Sequence, residues 1–179
     1  MEKTMINDLT TGSVGKELLR FSFPFMLSNA LQTVYNLVDM VVVGQFAGSA
    51  GLTAVSLGGQ ITWLLSCLAI GYASGGQIFI SQLVGTKDRE GIRRTIGTLF
   101  TAIALFSILF TVLGIAVHRP LLSLLNTPIE AMEQAADYVV VCSAGMFFVY
   151  GYNTVSAVLR GMGDSTRPFL FIAIAAVVN

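Results

Sequence analysis

Long apolar runs alternate with short charge-bearing stretches along the chain, and the run lengths predict its elements. Phe21 to Val38 carries no charge, Asp39 interrupts, and Met40 to Gly44 continues the run. Met40 to Thr86 is again free of charge over 47 residues, enough for the end of one helix, a turn and a second helix. The turn falls in Gln45-Phe46-Ala47-Gly48-Ser49-Ala50-Gly51, where small residues cluster. Further charge-free runs cover Thr95 to Val117, Tyr138 to Leu159 and Pro168 to Asn179. Crossing about 30 Å of hydrocarbon takes roughly 20 helical residues. The pattern therefore predicts an all-α integral membrane helical bundle with spans near 18–44, 52–85, 92–117 and 135–159, and an incomplete fifth at 168–179.

Local signals refine this. Thr127-Pro128-Ile129-Glu130 reads as an N-cap, a first-turn proline and an early acid, which starts the fourth helix before its apolar run. Asp164-Ser165-Thr166 opens the fifth in a similar way, and His118-Arg119-Pro120 reads as a loop. The final run of 12 residues is too short to cross a bilayer, so the chain is expected to be the N-terminal part of something longer; a re-entrant half-helix is the alternative.

Composition agrees with a membrane protein. Apolar residues make up 54% of the 179 and charged ones only 11%, whereas a soluble domain of this size leaves about a third of its surface to water. Ten basic side chains balance ten acidic ones, so the electrostatic footprint of a nucleic-acid binder is absent. No cleavable signal peptide is visible, since the first twenty residues are polar and mixed in charge. Lys3, Lys16, Arg20, Lys87, Arg89, Arg93, Arg94, Arg160 and Arg167 fall on one side of the expected topology and Arg119 alone on the other. That asymmetry predicts a multi-pass protein of the cell membrane with a cytoplasmic N-terminus. Cys67 and Cys142 lie within apolar runs and read as packing residues, and a single histidine, His118, makes no metal site.

Asp39 is the most informative residue. A carboxylate deep in a span costs about 2.5–3.5 kcal/mol on insertion scales, and such groups face wet cavities rather than lipid. At about 100° per residue, Ser28, Asn29, Gln32, Tyr35, Asn36 and Asp39 share one polar arc, while Leu31, Val34, Leu37, Val38 and Val41 fall outside it. Pro24 lies below the arc, where it permits a bend. A polar face with a proline hinge predicts a helix lining a pathway, although amides alone also serve to glue helices together. Ser56, Gln60, Cys67, Gly71, Ser74 and Gln82 form a second polar face, and Tyr150, Asn153 and Ser156 follow at helical spacing in the fourth span. A cavity with one carboxylate and no Arg or Lys favours cationic or neutral amphiphiles over anions.

No enzyme constellation accompanies these features, so the chain is not expected to be an enzyme. Arg160-Gly161-Met162-Gly163-Asp164 lacks the preceding strand and the Gly-Lys-Ser/Thr ending of a phosphate loop, and reads as a tight turn between spans.

Three segments resemble the multidrug and toxic-compound extrusion (MATE) family: Phe23-Pro24 with Val38-Asp39-Met40-Val41-Val42-Val43-Gly44, then Gly75-Gly76-Gln77 to Gly85, and Leu159-Arg160-Gly161-Met162-Gly163-Asp164-Ser165-Thr166-Arg167-Pro168. The resemblance implies part of the first six-helix lobe of a twelve-helix transporter. It also implies secondary active multidrug efflux, by antiport of H+ or Na+ against organic cations and drugs, with no cofactor beyond the coupling ion. It gives Asp39 and Asn179 a role in cation coupling, and makes Gln32 and Tyr138 positions of the same polar pocket, to which Tyr35, Asn36 and Asn153 are candidates to contribute. The expected partners are small-molecule organic cations or drugs, membrane lipid and the remaining C-terminal half of the same transporter, with no nucleic acid. Two alternatives stand beside this: a lipid-linked precursor flippase, which needs Arg or Lys in its cavity to hold phosphates, and a non-transporting membrane scaffold.

Overall fold

The computed structural model describes residues 13–178, and the described residues form six α-helices and no strand. These are α1 (Val14–Phe46), α2 (Gly48–Gly85), α3 (Arg89–Leu124), α4 (Ile129–Ala144), α5 (Met146–Gly161) and α6 (Thr166–Val178). By length and composition α2 and α3 can each cross a membrane, and α4 with α5 makes a third span if the pair, bent by 50°, counts as one. Helix α1 has 33 residues, but Asn29, Gln32, Asn36 and Asp39 dilute its apolar character. Gly48, at φ +66°, opens α2 directly after the end of α1.

Three helix ends close by one device. Lys87, Asn126 and Gly163 adopt positive φ (58°, 53° and 84°). The next residue's N–H then reaches back five positions, from Asp88 to the Leu83 carbonyl, Thr127 to Leu122 and Asp164 to Leu159, at 3.0, 3.2 and 2.9 Å. Each is a Schellman closure, which satisfies otherwise orphaned carbonyls while turning the chain sharply.

Several local expectations need correction. His118-Arg119-Pro120 is not a loop, because α3 continues through Pro120 to Leu124. Thr127 does not cap α4: its hydroxyl donates back to the Leu122 carbonyl at 2.7 Å, and Pro128 takes the cap position without a side-chain bond. The expected fourth span is two helices, broken at Gly145, whose N–H still reaches the Val141 carbonyl at 3.1 Å.

The described residues divide into two compact units. The first takes in the described residues of Met1–Asn36, then Tyr72–Phe100 and those of Asn153–Asn179; the second takes in Leu37–Gly71 and Thr101–Tyr152. The first is built on Ile80, Leu99 and Val158, with Tyr72, Val84, Ile96 and Met162 packed around them. Gly76 lies against the Leu99 side chain, and a Cβ on Gly161 would stand 2.8 Å from the Gln77 carbonyl oxygen. In the second unit Tyr150, fully buried, donates its hydroxyl to the Leu65 carbonyl at 2.8 Å and presents its ring to Phe110 edge-on. Gly58 meets the Tyr138 ring and Val139, and Gly114 meets Ser143 and Leu65. Small residues thus set the helix spacing in both units, as membrane packing requires when apolar burial gives no drive towards association.

Candidate functional site

Helix α1 carries most of the expected site, and burial along it follows helical steps. Phe21, Pro24, Leu31, Tyr35, Asp39 and Val43 are half-buried and Ser28 is buried, so one ridge of the helix packs against its neighbours. Asn29, Gln32 and Asn36 are exposed. The polar arc is therefore divided along its length, with Ser28, Tyr35 and Asp39 on the packed edge and the three amides on the open edge. Leu31, expected outside the arc, belongs to the packed ridge because that ridge is centred beside the arc rather than on it. Pro24 sits inside α1, and the Ser28 hydroxyl donates to its carbonyl at 2.9 Å.

The remaining site residues lie on other helices. Tyr138 is half-buried on α4 in the second unit, which also holds Asp39. Its ring carbon Cδ1 lies 2.7 Å from where a Cβ on Gly58 would stand, so the absent side chain on α2 makes room for the ring. Asn153 is half-buried on α5 in the first unit, with Gln32, Tyr35 and Asn36. Asn179 lies outside the described residues.

Two of the polar residues at helical spacing in the expected fourth span are buried. Tyr150 is core, its hydroxyl committed to Leu65. Ser156 is also buried and packs inside α5's surroundings, its hydroxyl without a hydrogen-bond partner among the described residues. On α2, Ser56, Gln60, Gly71, Ser74 and Gln82 are exposed and Cys67 is half-buried.

Arg160 takes part in contacts that its position in the sequence does not announce. Counted among the cytoplasmic basic residues and expected in a turn, it lies in α5, donates from Nε to Gln77 Oε1 at 3.1 Å and lies over the Phe25 ring, 5.6 Å from its centroid. Two of the three resembling segments, at Gly75-Gly76-Gln77 and Leu159 to Pro168, thus meet in the first unit, and their joint resemblance was the signal available beforehand. The following turn is equally well determined. Asp164 is buried, its Oδ1 accepts the N–H groups of Thr166 and Arg167 at 3.0 and 3.1 Å, and its Oδ2 pairs with Arg167 Nε at 3.2 Å.

The helices and their apolar composition define an all-α membrane protein. The MatE family model matches residues 24–179, and the chain belongs to that family. It is 34% identical over 172 residues to "Probable multidrug resistance protein YpnP" of Bacillus subtilis (strain 168), covering 96% of this chain and 39% of that protein. Among solved structures, it matches an outward-facing conformation of a multidrug resistance MATE family transporter of the MOP superfamily, with a TM-score of 0.87, 28% identity, and coverage of 93% of this chain and 37% of that one. It also matches a MOP superfamily transporter from Pyrococcus furiosus, described as having a binding pocket of reverse polarity that suggests a different function, with a TM-score of 0.89, 27% identity, and coverage of 99% and 38%. The chain spans about two fifths of the length of the curated relatives it matches.

Proposed function

We propose that this chain forms part of the N-terminal lobe of a secondary active multidrug exporter, which exchanges H+ or Na+ for organic cations and drugs across the cell membrane, with its N-terminus in the cytoplasm. The observation that carries the proposal is Asp39, a half-buried carboxylate on the packed ridge of α1, in a chain whose relative over 96% of its length is named for multidrug resistance. Asp39 would bind the coupling ion with Asn179, while Gln32, Tyr35, Asn36, Tyr138 and Asn153 line the substrate pathway. The open amide edge of α1 and the exposed apolar faces of the helices would then be covered by the rest of the carrier and by lipid.

The mechanism is linkage between two ligands of one lobe. Ion binding at Asp39 cancels the charge that attracts an organic cation, so ion entry from outside favours drug release there. Each pH unit supplies about 1.4 kcal/mol to that exchange, and the membrane potential about 2.3 kcal/mol per charge per 100 mV. The test is uptake by the full-length carrier in proteoliposomes, with pH and sodium gradients imposed separately and a cationic and an anionic substrate compared. Gradient-driven movement of the cation supports the proposal. Movement of the anion alone favours the flippase reading. No movement under any gradient leaves the scaffold.

A further inference from the structure

We propose that Arg160 is a positioning residue, whose guanidinium pins the proline-weakened turn of α1 to α2 and α5. Pro24 has no N–H to give to the Arg20 carbonyl, so the turn it ends is the least supported in α1. The next residue, Phe25, turns its ring to the Arg160 guanidinium at 5.6 Å, within cation–π range. The same group donates from its edge to Gln77 Oε1 at 3.1 Å.

Arg160 is itself held in place. Gly161 packs so tightly on the Gln77 backbone that a Cβ would stand 2.8 Å from its carbonyl oxygen. Gly163 then closes α5, and Asp164 starts the next helix by accepting the Thr166 and Arg167 N–H groups. The end of α5 is thus fixed to α2, and Arg160 extends that fixed point to α1. One rigid guanidinium holds its Cζ over the Phe25 ring while its Nε donates to Gln77, a pair of fixed contacts that a lysine ammonium on its flexible stem cannot reproduce. A change in the course of α1 at Pro24 has to break the Phe25 contact first. The consequence for transport rests on the proposed exporter function; the local clamp does not.

The experiment is hydrogen exchange of the full-length carrier in lipid nanodiscs, followed in peptides covering residues 21–29 and 89–100, for Arg160→Lys, Phe25→Leu and Phe25→Trp. Arg160→Lys and Phe25→Leu are expected to speed exchange in 21–29 by about two- to five-fold, the size of one exposed-site cation–π contact, and to leave 89–100 unchanged. Phe25→Trp, which keeps an aromatic face, is expected to exchange like the wild type. The proposal is overturned if Phe25→Leu and Phe25→Trp behave alike, or if exchange rises equally in both peptides. Phe25 is 43% exposed, so its variants decide the matter even if Arg160→Lys does not fold. Gradient-driven uptake by the same proteins forms a separate arm: a changed turnover rate at constant KM is expected for Phe25→Leu, and an unchanged rate would overturn the link to transport. A wild-type carrier that moves nothing would sink the exporter function and leave the exchange data to judge the clamp.

Discussion

Gly161→Ala tests the close approach of α5 to α2 in the first unit. The added Cβ would stand 2.8 Å from the Gln77 carbonyl oxygen and 3.1 Å from Ile80 Cβ and Cγ2. Ordinary carbon–oxygen contacts fall at about 3.3–3.6 Å, so α5 and α2 must separate by roughly half an ångström. The blocking oxygen is backbone within α2 and cannot rotate away. Overpacking of this kind costs about 1–3 kcal/mol, while replacing a helical glycine by alanine returns about 0.5–1 kcal/mol. The net expectation is a loss of about 1 kcal/mol. Gly151→Ala in the same helix is the control, because a Cβ there has nothing within 4 Å and only the propensity gain should remain. The assay is thermal unfolding of the purified chain in detergent, where about 1 kcal/mol corresponds to roughly 2–4 °C in Tm. A lower midpoint for Gly161→Ala with an equal or higher one for Gly151→Ala is expected. An unchanged or raised midpoint for Gly161→Ala would refute the close approach.

Other substitutions probe separate features. Tyr150→Phe removes the buried bond to the Leu65 carbonyl, which keeps its helical partner, so the loss should be about 1 kcal/mol rather than a full orphaning penalty, read as a lower Tm. Asp164→Ala strips α6 of its cap and Arg167 of its partner, and should cost about 1–2 kcal/mol, with increased proteolysis between α5 and α6. Glu133→Gln breaks the ion pair with Arg119, but both side chains are well exposed, so stability should change by less than about 0.5 kcal/mol at moderate salt.

What the sequence made legible follows from which forces act locally. Runs without charge located helices because the bilayer penalises charge wherever it falls. The turn at Gly163 could be read because glycine and a capping acid act within a few residues. Thr127 misled because a hydroxyl that can cap forwards can equally well bond backwards, and only the closure at Asn126 decides between them. Pro120 misled for a related reason: a proline removes one bond but need not end a helix whose other bonds remain. The break at Gly145 left no proline or charge to mark it. Burial on α1 was legible only as an arc, because which edge of a polar face packs depends on the other helices. The meeting of Arg160, Gln77 and Phe25 joins three distant segments, and periodicity carries no information about such contacts.

The proposed coupling of ion and drug at Asp39 is tested by comparing wild-type and Asp39→Asn full-length carriers for efflux of an organic cation against a stepped pH or sodium gradient. The wild-type rate is expected to follow the gradient, while Asp39→Asn, folded and still able to bind the cation weakly, is expected to show a flat response. An Asp39→Asn carrier whose rate rises with the gradient as the wild type's does would contradict the coupling.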